Sequence, residues 1–178
     1  SNKIILKKKI NKFNKKIFVP GDKSLSIRWV LIASLADGIS KAQNLLMSED
    51  VIAALKSIKK LGVRVFYNNK ICKIYGVGID GYKYKKNIII DAQNSGTLGR
   101  LIMGILINSP NKIKIIGDKS LSRRDFKRIA EPLSKFGAKI KLTKKGLPLT
   151  IEGNKHLHPI RYFERKGSAQ CKSSVIFA

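Results

Sequence analysis

The sequence predicts an α/β fold made of repeated β-α-β-α-β-β units, and three observations carry that prediction. Lys23-Ser24, Gly96-Thr97 and Ala169-Gln170 each open an apolar, helix-like stretch, and they are spaced 73 residues apart twice over. Gly62 and Gly137, each placed to end a second helix, lie 75 apart. Short strand-like runs recur in the same order around those helices. A single match is weak, but two matches joined by the same turn chemistry define a repeat.

The elements follow in order. Pro20-Gly21 is a turn that delivers the chain to a helix over residues 24–36, with Trp29, Val30, Ala33 and Leu35 among its apolar positions and Gly38 soon after. A strand is expected over Ser40–Asn44. Ser48 reads as an N-cap, with Glu49 and Asp50 suiting the first turn and Val51, Leu55 and Ile58 forming the buried stripe. Gly62 stops that helix. Strands are expected at Val63–Tyr67, Ile71–Tyr75 and Asn87–Asp91.

The plan then repeats. NSGTLGRLIMGILI opens a helix near Thr97, and Lys112–Ile116 reads as a strand. Ser122 is expected to cap the next helix, with Asp125 three residues on in a short capping box. Phe126, Ile129, Leu133 and Phe136 form its stripe, and Gly137 ends it. Strands at Ala138–Leu142 and Leu147–Ile151 complete the unit. A third unit opens with GSAQCKSSVIFA and breaks off in its first helix, as a truncated chain would. The units are therefore about 20–91, 92–164 and an incomplete third from 165.

Bulk composition narrows the function. The 178 residues hold 37 Lys and Arg against 11 Asp and Glu, a net charge of +26. The lysines are scattered along the chain instead of clustering on one element. No zinc finger, helix-turn-helix or aromatic RNA-binding pattern accompanies them. We read the charge as a basic background that suits small anionic substrates, with no nucleic acid as partner. An RNA-binding protein of similar repeat architecture is the alternative that basicity leaves open, and steep loss of binding with salt would be its mark. No run approaches the roughly 20 apolar residues of a membrane span, and no signal-peptide pattern is present, so a cytoplasmic protein without membrane attachment is expected. Cys72 and Cys171 form no disulfide framework, and His156 and His158 lack partners for a metal site. Neither metal nor cofactor is expected.

The chemistry concentrates at the helix starts. Lys23, Ser24 and Arg28 stand where the dipole favours negative side chains, an arrangement that makes sense if an anion from outside binds there. Asn94-Ser95-Gly96-Thr97 and Ser168-Ala169-Gln170 supply small residues that let a ligand approach free N–H groups, plus hydroxyl and amide donors. Arg100 lies one turn along its helix, as Arg28 does. Taken singly, such serines and threonines are ordinary caps; it is the joint pattern that points to a polyanion site. GDKSLSRRDF adds Arg123 and Arg124 at another helix start.

These stretches resemble 5-enolpyruvylshikimate-3-phosphate (EPSP) synthase, also called 3-phosphoshikimate 1-carboxyvinyltransferase. PGDKSLSIR is similar to its PG-[SD]-KS-x-[ST]-x-R segment, and NSGTLGR to its N-[AS]-GT-x-x-R segment. GDKSLSRRDF with PLSKFGAKI, and then GSAQCKSS, follow in the family's order and spacing. The resemblance covers the chain from about Pro20 onward. It implies an inside-out α/β barrel domain, here residues 20–178 and truncated in the third unit. Residues 1–19 would be a strand segment of a second domain.

It further implies that Lys23, Ser24, Arg28, Ser168, Ala169 and Gln170 bind shikimate 3-phosphate. Lys23, Asn94, Gly96, Thr97, Arg124 and Gln170 would bind phosphoenolpyruvate. The family has proline after the arginine of the second site, where this chain has Asp125, so the choice between Arg123 and Arg124 stays open. The acid–base carboxylates of the family are expected beyond Ala178, and the complete protein is expected to be a monomer.

Overall fold

The structure is a computed structural model that describes residues 4, 5, 7, 9, 12–68, 70–109 and 111–178. Helix α1 (Lys23–Leu35) leads into strand β1 (Asp37–Gln43), followed by α2 (Glu49–Lys60), β2 (Arg64–Tyr67) and β3 (Ile71–Val77). The second unit has β4 (Ile89–Asp91), α3 (Gly96–Ile105), β5 (Ile113–Ile116), a four-residue helix α4 (Lys119–Ser122), α5 (Lys127–Lys135), β6 (Lys139–Thr143) and β7 (Gly146–Glu152). Helix α6 (Ala169–Ile176) opens the third.

The repeat is visible in the caps themselves. Asp22, Ser95 and Ser168 are the N-caps of α1, α3 and α6, spaced 73 apart, and each side chain accepts the N–H of the residue three further on. Strands β3 and β7 begin at 71 and 146 and end at 77 and 152, an offset of 75 at both ends. Gly62 and Gly137 take left-handed φ values of 91° and 109° after their helices, a conformation that favours glycine.

Two sheets flank the helices. One has the order β1-β3-β2, with both pairings antiparallel. The other runs β4-β5-β7-β6, with β4 parallel to β5 and the remaining pairs antiparallel. Between them lies one continuous core, in which Ile27, Leu31, Leu55, Ile74, Leu101, Ile102 and Phe126 are fully buried. Helix α3 is at its centre: every residue is buried except Arg100. A helix apolar on all sides belongs inside a core, which matches the Leu101–Ile107 run. Gly104 lets α3 approach α6, because a Cβ there would collide with the Ser174 carbonyl.

Two expectations change. Ser48 occupies the N-cap of α2, yet its hydroxyl makes no capping bond and lies buried without a partner among the described residues. Ser122 does not cap the following helix. It ends α4, whose N-cap is Asp118, and α5 starts only at Lys127 after Asp125 has accepted the Lys127 N–H. The Asp118 carboxylate nucleates a separate turn, and the Phe126 N–H bond to the Lys145 carbonyl fixes the break. The segment 1–19, expected as a strand of a second domain, falls partly outside the described residues, at 1–3, 6, 8, 10 and 11, and its described residues carry no helix or strand.

Candidate anion-binding site at the helix starts

Helix α1 presents Lys23 as its first residue, and its Nζ lies 3.0 Å from Asp50 Oδ2 at the start of α2. Arg28, one turn on, donates to the Ser24 carbonyl and to Ser173 Oγ of α6, both at 3.2 Å. Gly21 before them packs against the Asn44 carbonyl, where a side chain has no room.

The start of α3 is more closely built. Thr97 Oγ1 accepts from Gln170 Nε2 at 3.0 Å, and Gln170 Oε1 accepts from Arg100 Nη1 at 2.8 Å. The two partners fix the orientation of that amide. Arg100 also donates to the Asp125 carbonyl at 3.2 Å and lies over the Phe126 ring. Burial, then the neighbouring Arg124 and Arg128 guanidinium groups, lower its pKa from the usual arginine value. Gly96 sits between the two arginines, since a Cβ there would be 2.7 Å from Arg100 Nη1 and 3.2 Å from Arg124 Nη1.

Arg124 donates to Asn94 Oδ1 at 3.0 Å, and Asn94 Nδ2 donates to Asp118 Oδ2 at 2.6 Å. Arg123 makes no side-chain hydrogen bond or ion pair among the described residues. A polar cavity of about 330 Å³ borders the α6 start, lined in part by Arg100, Arg128, Lys166, Ser168 and Gln170. The larger groove beside α5, about 900 Å³, shares Arg128 and Lys166 with that cavity.

The hydrogen bonds fall into two groups, Arg124–Asn94–Asp118 and Thr97–Gln170–Arg100, which come side by side at Gly96, while Arg28 ties α1 to α6. Ser168 spends its hydroxyl on the Cys171 N–H, and Ala169 follows it as the first residue of α6. Lys23 and Ser24 make no side-chain hydrogen bond or ion pair to α3 or α6 among the described residues; Lys23 faces Asp50. Asp50 as the partner of Lys23, and Asp118 as the partner of Asn94, are the two pairings that sequence reasoning missed. A signal for the second was present: GDKSLS occurs at both 21–26 and 117–122. Both copies fold alike, Asp22 and Asp118 each capping the leucine three residues on at 2.7 Å. The copies align Arg28 with Arg124, not with Arg123.

Guanidinium groups gathered around small residues and helix starts receive phosphates and carboxylates. Fold and site together define a repeat-built α/β protein with arginine side chains gathered around its helix starts. The sequence model for EPSP synthase (3-phosphoshikimate 1-carboxyvinyltransferase) matches residues 7–178, and the chain belongs to that family. A Streptococcus suis 3-phosphoshikimate 1-carboxyvinyltransferase is 44% identical over 175 residues, covering 97% of this chain and 41% of the relative. One from Sulfurihydrogenibium is 40% identical, covering 96% of this chain and 40% of the relative. The EPSP synthase structure from Acinetobacter baumannii superposes with a TM-score of 0.86 at 36% identity, over 92% of this chain and 37% of that one. The chain spans about two fifths of the length of these relatives.

Proposed function

We propose that the protein containing this chain is a 3-phosphoshikimate 1-carboxyvinyltransferase, a transferase of aromatic amino acid and chorismate biosynthesis. It would move the enolpyruvyl group of phosphoenolpyruvate to the 5-hydroxyl of shikimate 3-phosphate and release phosphate. The observation that carries this reading is the placing of two arginine groups, Arg124 with Asn94 and Arg100 with Gln170 and Thr97, on either side of Gly96 at the starts of α3 and α6. It supports two adjacent anion sites, because Arg124 lies on one side of Gly96 and the cavity by Ser168, where Arg100, Arg128 and Lys166 outnumber the one carboxylate Asp125, lies at the start of α6.

In this reading Lys23, Ser24, Arg28, Ser168, Ala169 and Gln170 hold shikimate 3-phosphate. Lys23, Asn94, Gly96, Thr97, Arg124 and Gln170 hold phosphoenolpyruvate. The hydroxyl oxygen bonds to C2 of phosphoenolpyruvate as C3 takes a proton. The tetrahedral adduct then returns a C3 proton and expels phosphate, leaving the enolpyruvyl ether. Lys23 and Arg124 neutralise the phosphate charge, which grows as the C–O bond to phosphate breaks. The proton-transfer carboxylates are assigned to the part of the protein beyond this chain, as is the second domain to which residues 1–19 are assigned. No cofactor is needed, and the enzyme is placed in the cytoplasm as a monomer.

Lys23 tests the assignment. Lys23→Ala in the full-length protein is expected to abolish detectable phosphate release in a coupled assay. Charge-assisted bonds are worth about 1.5–3 kcal/mol each even before any role in the transition state. Turnover near the wild-type rate would remove Lys23 from the site.

A further inference from the structure

The two GDKSLS copies differ in how fully they use their aspartate. In both, one carboxylate oxygen caps the turn. Asp22 makes no second side-chain bond among the described residues. Asp118 does: Oδ2 accepts from Asn94 Nδ2 at 2.6 Å, a short bond across 24 residues of sequence. Capping needs only one oxygen, so the second bond calls for another explanation.

We propose that Asp118 is a positioning residue for Arg124, acting through the side-chain amide of Asn94. An ionised carboxylate only accepts, and a guanidinium only donates. An amide held between them has one permitted orientation, its nitrogen toward Asp118 and its oxygen toward Arg124. The 3.0 Å bond from Arg124 Nη2 to Asn94 Oδ1 is the result. All three residues are exposed, and the bond to Asn94 is the one side-chain hydrogen bond that holds the long arginine side chain among the described residues. The Leu121 N–H first, and then the Asn94 amide, hold the Asp118 carboxyl below the usual carboxylate range, so it stays an acceptor at neutral pH. The relay leaves the other guanidinium N–H groups beside Gly96 free for an anion, and it works by pre-orienting Arg124 before the ligand arrives.

This inference rests on the proposed function where it concerns phosphoenolpyruvate, and the test separates the two. Asp118→Asn in the full-length protein keeps the cap, because asparagine caps as well as aspartate. It also places an amide donor against Asn94, which then turns its own nitrogen toward Arg124. The expected results are an unchanged melting temperature, displaced side-chain NMR signals of Asn94 and Arg124 without any ligand, and a ten- to hundredfold rise in the KM for phosphoenolpyruvate. The KM for shikimate 3-phosphate stays within about twofold. The exchanged pair, Asn94→Asp with Asp118→Asn, restores donor-to-acceptor order and returns the Arg124 signal toward its original position. Unmoved Asn94 and Arg124 signals in Asp118→Asn overturn the relay. So does a lowered melting temperature with both KM values rising together, which would make Asp118 structural only. Displaced signals with an unchanged phosphoenolpyruvate KM support the relay and overturn the ligand assignment of Arg124.

Discussion

Gly96 is confined by two guanidinium groups and by Leu121, whose Cδ1 would lie 3.7 Å from an added Cβ. The nearer guanidinium, Arg100, is tied to Gln170 and the Asp125 carbonyl, so Gly96→Ala disturbs that contact as well as where Arg124 points. Its expected effect is a rise in the KM for phosphoenolpyruvate of tenfold or more, with the KM for shikimate 3-phosphate changed far less. Steady-state kinetics with each substrate varied in turn measures the split, and equal effects would make Gly96 a purely structural glycine. Glu164 presents a different residue-scale problem, because its nearly buried carboxylate lies outside the proposed ligand sets. It accepts from the Tyr162 hydroxyl and, at 3.0 Å, from Arg128. Tyr162 first, and then the Lys166 N–H, lower its pKa from 4.5 to about 2, while burial and Glu164 raise that of Tyr162. A carboxyl with a depressed folded pKa stabilises the fold fully above its unfolded value, and that contribution is lost as pH falls through the folded one. Wild type should therefore lose this contribution between pH 4.5 and about 2. Glu164→Gln should lower stability at neutral pH and flatten the acid limb of the unfolding profile over that window. Parallel profiles for the two proteins would show that Glu164 adds nothing.

At the scale of elements, the crossing of α3 and α6 decides whether Gln170 reaches Thr97 and Arg100. Gly104→Ala would gain about 1 kcal/mol of helix propensity in isolation. Here the methyl meets the backbone of Ser174, which has no flexible end to move, and it also crowds the Ser174 Oγ bond to the Arg100 carbonyl. Overpacking of this kind costs about 1–3 kcal/mol. Urea unfolding should show net destabilisation, and a neutral or stabilised variant would mean that α6 docks less firmly than the contact implies. Helices, the succession of strands along the chain and the 73-residue period were legible in the sequence because glycine stops, cap residues and apolar stripes are local signals. The pair of helices in the second unit was not. Ser122 looks like a cap by residue type, but Asp118 starts a turn four residues earlier, and sequence alone does not say which cap wins. The site was legible to the extent that its residues sit at helix starts, which brought Gly96, Thr97 and Gln170 into view. What Arg100 and Arg28 grip was not, because Gln170 and Ser173 lie 70 and 145 residues away. The same holds for the Lys23–Asp50 pair, where a charge in the first turn of α2 had a sufficient local explanation in the helix dipole.

At the scale of the molecule, the repeat also marks which surfaces are unfinished. Ile17, Ile90 and Phe163 occupy one position at 73-residue intervals. Ile90 is fully buried in β4 beside β5, whereas Ile17 and Phe163 are 68% and 81% exposed. Ile176 is 78% exposed on the last helix, next to the cavity that Phe163 also lines. Apolar surface of this kind is what a contact with further protein would cover. The proposed site has the same character, since Lys23, Asn94 and Arg124 all stand on an open face. Two unit charges about 4 Å apart attract by only about 1 kcal/mol in water, against about 4 kcal/mol at an effective dielectric of 20. Closing a second body over this face would therefore strengthen each cation–anion contact several-fold in energy, and would bring the proton-transfer groups that the proposed reaction needs. A polypeptide of residues 1–178 is accordingly expected to bind shikimate 3-phosphate weakly, with an affinity that falls as salt is added, because exposed charges are screened. It should release no phosphate when phosphoenolpyruvate is supplied. Calorimetry at two salt concentrations and a phosphate assay with the product identified by mass are the measurements. Phosphate release by this polypeptide alone would mean that the acid–base groups lie within residues 1–178, with Asp50 and Asp118 the first carboxylates to examine.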